Sequence, residues 1–342
     1  MLFVVLLHFN NHGANVNLIN FAGALTLQNG IGHLIESFAI IAVNCFVLIS
    51  GYFGLSFKVR SILKLYLQCF FIGILGYILY VLFTPNELEL TKLLARIFAF
   101  TRNRYWFLYA YLFLYFISPL VNYSIAKMSE NEYKNVLMLL SIFIFYFSFV
   151  RNVGDNTIGM SYVQFIFLYL IGRYIGIYIS KDVIKQSQFR WLLGYFITSV
   201  SVFVLALVEQ KWHLQIPFLR PYPYNSILVV LGAIFLLLFF LSLDFRSKLI
   251  NWVATSCFAV YLLQENPYFG HDVLYPFVET YFSGIDDILK KYIMLVVISV
   301  CFFLFCILVD KAFIIFTSPL IKIYELKVVP AVKKKFKLDK IL

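Results

Sequence analysis

The sequence predicts an all-α fold: a polytopic bundle of about ten transmembrane helices with both termini in the cytoplasm. Three observations lead there. Of the 342 residues, 62% are hydrophobic and only 13% charged, and the mean hydropathy is +0.86. A soluble domain is nearer half apolar and a quarter charged, so this chain has too little polar surface to coat a globule in water. Apolar runs long enough to cross a bilayer recur along the chain, separated by short polar stretches. The basic residues gather in those stretches and at the C-terminal end.

The first apolar run, MLFVVLLHF, is short for a span and meets polar Asn10 and Asn11. It lacks the basic flank and small-residue cleavage site of a signal peptide. Either the first helix borrows from the segment after His12, or the written start lies inside the original first helix, and the second is the expectation. Further spans are expected at 34–53, 62–83, from 105 through YWFLYAYLFLYFISPLVNYSI, at 136–150, across SYVQFIFLYLIGRYIGIYI, and at 191–208, 226–243, 252–268 and 292–309. The stretch EQKWHLQIPFLRPYPYN holds three prolines and cannot be a regular helix. GHDVLYPFVETYFSGIDD reads as a loop or a re-entrant segment.

Ten spans put both ends of the chain on one side. The loops on that side, together with eight lysines from Lys311 to Lys340, carry 18 Lys and Arg; the opposite side carries 9, and Arg173 falls within a span. That asymmetry places the termini in the cytoplasm. The net charge of +11 therefore reflects topology and anionic lipid, and nucleic acid is not an expected partner. The chain divides into two regions: a transmembrane domain over 1–310 and a basic cytoplasmic tail over 311–342. The five cysteines all lie in apolar runs with no CxxC pair, as small buried hydrophobes do.

Few residues stand out as chemistry. His8 ends an apolar run, where an imidazole is costly to bury without a partner or a task. It can take a proton from a hydroxyl or carry an acyl group; the bland alternative is a helix-end histidine bonded to backbone. His8 and His12 share the i, i+4 spacing that suits zinc. Phe9 stands where the metalloprotease motif needs Glu, and no third ligand is evident, so no metal is expected. Ser50 and Gly51, followed by Tyr52, permit close helix contact, or a hydroxyl aimed into a site. Trp106 follows Arg102, Arg104 and Tyr105 at the mouth of a span: a membrane-interface anchor, or a site for an anion. Gln264, Glu265 and Asn266 precede Pro267, and a carboxylate there can orient a histidine. Glu36 and Asp310 read as interface charges.

The order of these motifs resembles the acyltransferase 3 family. The resemblance rests on the run ending His8-Phe9, then FVLISGYF, a basic cluster, WFLYAYLFLYFISPL, and a late VYLLQENP. It covers nearly the whole chain and is closest to the branch that modifies exopolysaccharide and capsule. It implies a multi-pass protein of the bacterial plasma membrane that moves an acyl group, usually acetyl, from acyl-CoA onto a carbohydrate hydroxyl. Acyl-CoA is then a donor substrate, and no bound cofactor is implied. His8 matches the family's catalytic histidine. Ser50, Gly51, Tyr52 and Trp106 match segments that shape the site. Arg60 and Lys64 are expected to meet the donor's phosphates, and Glu265 to serve the acceptor or the histidine. Two departures stand out: the arginine the family carries about ten residues before the histidine is absent from the sequence as written, and Gln264 replaces a common histidine. The remaining partners are the bilayer and, as an open alternative, a second copy of the chain. The rival function is a polysaccharide or lipid-linked sugar transporter or flippase; a membrane sensor without chemistry is the third.

Overall fold

In the computed structural model, residues 1–16, 18–21, 23–95, 105–150, 158–214 and 219–324 are described. Among them every regular element is helical and no strand occurs. Arg102, Arg104 and most of the basic tail lie outside the described residues.

The chain opens with α1 (Leu2–Phe9), which widens into a π-helical turn over Asn10–Ala14. Thr26 caps α2 (Leu27–Ala39) by accepting from the Asn29 amide, and α3 (Ala42–Phe53) comes after a hitch at residues 40–41. Together they form one apolar candidate span, Leu27–Phe53. α4 (Val59–Phe83) and α6 (Trp106–Lys127) are further long apolar helices, with the short α5 (Leu90–Leu94) between them. A capping box, in which Ser129 and Glu132 satisfy each other's backbone amides, starts α7 (Glu130–Ile142). α7 runs on as a π-helix through Phe143–Val150.

Next come α8 (Tyr162–Tyr178), the short α9 (Lys181–Gln186), α10 (Gln188–Trp212) and α11 (Ile227–Ser242). α10 ends on His213 in the left-handed conformation at φ 52°, a common way to stop a helix. The proline-rich stretch behind it is irregular where described, as expected. Among the described residues, five helices are long and apolar enough to cross a membrane: Leu27–Phe53, Val59–Phe83, Trp106–Lys127, Gln188–Trp212 and Ile288–Pro319. Tyr162–Tyr178 and Ile227–Ser242 are shorter apolar helices. The protein is a multi-pass membrane protein.

The late part of the chain departs from expectation in two places. The run 252–268 is not one helix. It breaks at Thr255–Ser256 into α12 (Lys248–Ala254) and α13 (Cys257–Gln264), and there the Thr255 hydroxyl donates to the Trp252 carbonyl. The stretch expected as a loop or re-entrant segment is helical: a π turn over Phe269–Leu274 leads into α14 (Tyr275–Ser283). Pro276 stands in the first turn of α14, where its missing N–H costs nothing. α15 (Ile288–Ile323) then runs unbroken past residue 310.

The start of the chain is enclosed by a few of these elements, while α3 packs on α8 and α10 on α11. α1 lies against α15, α2 and α3, while α14 covers the π turn over Asn10–Ala14. Gly13 makes that cover close: a Cβ there would meet Val278 Cγ1 at 2.4 Å.

Candidate active site

His8 sits in the last turn of α1, and 29% of its side chain remains accessible. It lines a cavity of about 300 Å³ together with Asn11, His12, Glu36 and the segments 158–160 and 220–224. Nδ1 of His8 lies 3.0 Å from Glu265 Oε1 and 2.8 Å from the Tyr275 hydroxyl. The same hydroxyl donates to Glu265 Oε1 at 2.6 Å. Glu265 is 9% exposed, so its carboxylate meets these two groups largely out of water. His271 Nε2 stands 3.6 Å from the other oxygen, Oε2. The His12 ring stacks on Tyr275 at 4.1 Å, and on His8 at 5.9 Å.

Each residue arrives by local rules. α13 ends at Gln264, and Glu265 forms its C-terminal cap. Asn266 fixes the next turn: its Oδ1 accepts from the amides of Tyr268 and Phe269 at 3.0 and 3.1 Å. Asn266 fits only because α4 offers Gly76, where a Cβ would stand 2.4 Å from the Asn266 side chain. The π turn then brings His271 and Tyr275 to the same carboxylate. The wider π turn after His8 presents Asn10 and Asn11 to Glu36, and such turns cluster at functional sites.

The geometry gives His8 a defined orientation. A carboxylate beside Nδ1 favours the tautomer with the proton on Nδ1, leaving Nε2 with its lone pair. An imidazole held so can serve as a general base for a hydroxyl that reaches it.

The other residues singled out from the sequence fall in different places. Ser50, Gly51 and Tyr52 lie where α3 crosses α8. The Ser50 hydroxyl donates to the Phe46 carbonyl and shares a 2.9 Å hydrogen bond with Tyr111. A Cβ on Gly51 would stand 2.3 Å from the Tyr169 carbonyl, and the Tyr52 backbone meets Gly176. Trp106 stacks on Tyr224 at 5.7 Å, one layer behind the cavity that Tyr224 lines. Arg60 and Lys64 line a second cavity of about 600 Å³, with Gln68, Thr255, Asp310 and Lys322 among its other walls.

Two expectations are overturned. Glu36 and Asp310 are not interface charges: they are 2% and 1% exposed. Glu36 Oε2 accepts from Asn11 and Asn10 at 2.9 and 3.3 Å, and Asp310 Oδ1 accepts from Gln68 at 2.6 Å. Their partners lie far off in sequence, which is why position near a span end misled. Tyr275 and His271 stand against the same carboxylate although the sequence does not single them out. Only their closeness in sequence to Glu265 hinted at a role.

No ligating group of three or more His, Cys, Asp or Glu is found among the described residues. No curated protein and no solved structure matches the chain. The family of the acyltransferase domain, by contrast, matches residues 1–311. A helical membrane bundle that holds a carboxylate-oriented histidine beside a cavity is thus found in a chain that belongs, over nearly its whole length, to the acyltransferase 3 family.

Proposed function

We propose that this membrane acyltransferase is an O-acetyltransferase. It moves acetyl from acetyl-CoA to a hydroxyl of a cell-surface polysaccharide or its lipid-linked precursor. The observation that carries the reading is the His8 imidazole, held through Nδ1 by Glu265 and Tyr275 and bordering a cavity on its accessible side. In the reaction a sugar hydroxyl attacks the thioester carbonyl. Nε2 of His8 takes the hydroxyl proton as the C–O bond forms. The C–S bond breaks, and the proton passes on to the departing thiolate. Glu265 stabilises the imidazolium that exists in between.

The two cavities suit the two substrates. We place the ten spans in a bacterial plasma membrane with both termini cytoplasmic and residues beyond 310 as a basic tail. Arg60, Lys64 and Lys322 then mark the cytoplasmic cavity, and cationic side chains suit the phosphates of CoA. Segments 158–160 and 220–224 mark the opposite side, from which the glycan enters. Along α4, Ile72, whose carbonyl meets Asn266, lies about 18 Å beyond Arg60 at 1.5 Å per residue. A donor anchored by its phosphates reaches the histidine only through an extended arm of that order, which the pantetheine of CoA supplies. Ser50, Gly51 and Tyr52 act by fixing α3 on α8, and Trp106 by bracing Tyr224.

The test uses membrane vesicles with [¹⁴C]acetyl-CoA outside the cytoplasmic face and surface glycan on the other. Label on the glycan only when the chain is present is the expected result. Glycan that crosses the vesicle membrane unlabelled identifies a transporter instead.

A further inference from the structure

The cavity beside His8 has a second chemical feature that proton transfer does not use. Glu36, from α2, forms part of its wall and is 2% exposed. Its Oε2 is occupied by the side-chain amides of Asn10 and Asn11. Its Oε1 accepts from no donor among the described residues. Asn11 shares the same wall. Its Nδ2 serves both Glu36 and the Leu7 carbonyl, while its Oδ1 is buried with no partner. Buried acceptors are nearly always satisfied, so the unpartnered Asn11 oxygen, with the second carboxylate oxygen of Glu36 on the same cavity wall, calls for a ligand that donates twice.

Their position defines that ligand further. His8 and Asn11 are one helical turn apart on the same face of the chain's first helix. Groups bound at the two places are separated by a distance that a single sugar ring covers. We infer that Glu36 and Asn11 form the acceptor-specificity subsite: they accept hydrogen bonds from two non-reacting hydroxyls of the sugar whose third hydroxyl is delivered to His8. Asn10 is a positioning residue. It donates to the Gly32 carbonyl and to Glu36, and takes a hydrogen bond from Asn15 at 2.8 Å, which fixes where the carboxylate stands. Selection comes from this arrangement. A sugar lacking one of the two hydroxyls leaves an acceptor in the cavity wall unpaired, and such sites discriminate strongly against the missing group.

This inference rests on the acyl-transfer reading, and the experiment separates the two. Purified full-length protein in detergent is given [¹⁴C]acetyl-CoA and surface glycan isolated from cells without the chain. Wild type, Glu36→Gln and Asn11→Ser are compared for kcat, for KM of glycan and for KM of acetyl-CoA, and each is melted to check that it is folded. The expected result is a glycan KM raised about tenfold or more in either variant, with kcat within about threefold and the acetyl-CoA KM unchanged. If Glu36→Gln does not fold, Asn11→Ser decides the matter alone. A folded variant with wild-type glycan KM, or with kcat and both KM values altered together, overturns the subsite and leaves acyl transfer standing. Wild type that transfers no label overturns both.

Discussion

At the scale of single residues, the site is a carboxylate shared by several donors. Glu265 Oε1 meets both His8 Nδ1 and the Tyr275 hydroxyl, while Oε2 faces His271. Removing the charge and removing one hydroxyl should therefore differ. Glu265→Gln keeps the shape but presents an amide to the imidazole, which no longer favours the reactive tautomer. It is expected to lower kcat roughly 10²- to 10⁴-fold. Tyr275→Phe keeps the ring stacked on His12 and loses one hydrogen bond, so a fall of about tenfold is expected. Single-turnover acetyl transfer measures both, and equal losses would contradict a leading role for the carboxylate. His8 and Glu265 were legible in the sequence because an ionisable side chain at the edge of an apolar run is conspicuous. Tyr275 was not, being one of 24 tyrosines in a stretch with proline and glycine. Glu36 looked like a span-end charge because nothing local shows that Asn10 and Asn11 come to meet it.

At the scale of elements, close helix contact fixes what the site needs. Gly51 lies where α3 touches α8, with the Tyr169 carbonyl and Gly172 Cα where a side chain would go. Gly172 returns the contact against the Leu48 carbonyl. The obstacles are backbone atoms, so no rotamer relieves them. Gly51→Leu must push the helices apart and is expected to cost about 3 kcal/mol or more. Detergent melting should show a clear drop, and an unchanged transition would contradict the packing role given to the FVLISGYF segment. Most of the expected spans lie on helices because apolar length alone determines them. Helix breaks are harder to read: the stop at Thr255–Ser256 and the two π turns depend on hydroxyls and tertiary neighbours that no periodicity records. His12 and His271 lie in the two π turns, and His8, Glu265 and Tyr275 stand within a few residues of them.

At the scale of the molecule, two cavities stand apart, one beside His8 and one between α4 and the end of α15. If they serve different substrates, substitutions in each should affect different constants. Arg60→Ala and Lys64→Ala are each expected to raise the acetyl-CoA KM about tenfold, since a charge-assisted hydrogen bond contributes about 1.5–3 kcal/mol. The glycan KM should not move. Steady-state kinetics with each substrate varied in turn checks this, and a shift in the glycan KM alone would reverse the assignment. The sequence located the basic cluster but not its cavity, because Lys322 and Asp310 join Arg60 and Lys64 only once α15 packs on α4.

The most direct measurement is acetyl transfer by His8→Ala, at matched membrane insertion and with a melting temperature near that of wild type. In the proposed mechanism no other group takes the hydroxyl proton. Loss of labelled acetyl on glycan to the level of vesicles without the chain is the predicted result. Transfer that persists at a rate near wild type would contradict it, and with it the catalytic role assigned to the whole His8, Glu265 and Tyr275 cluster.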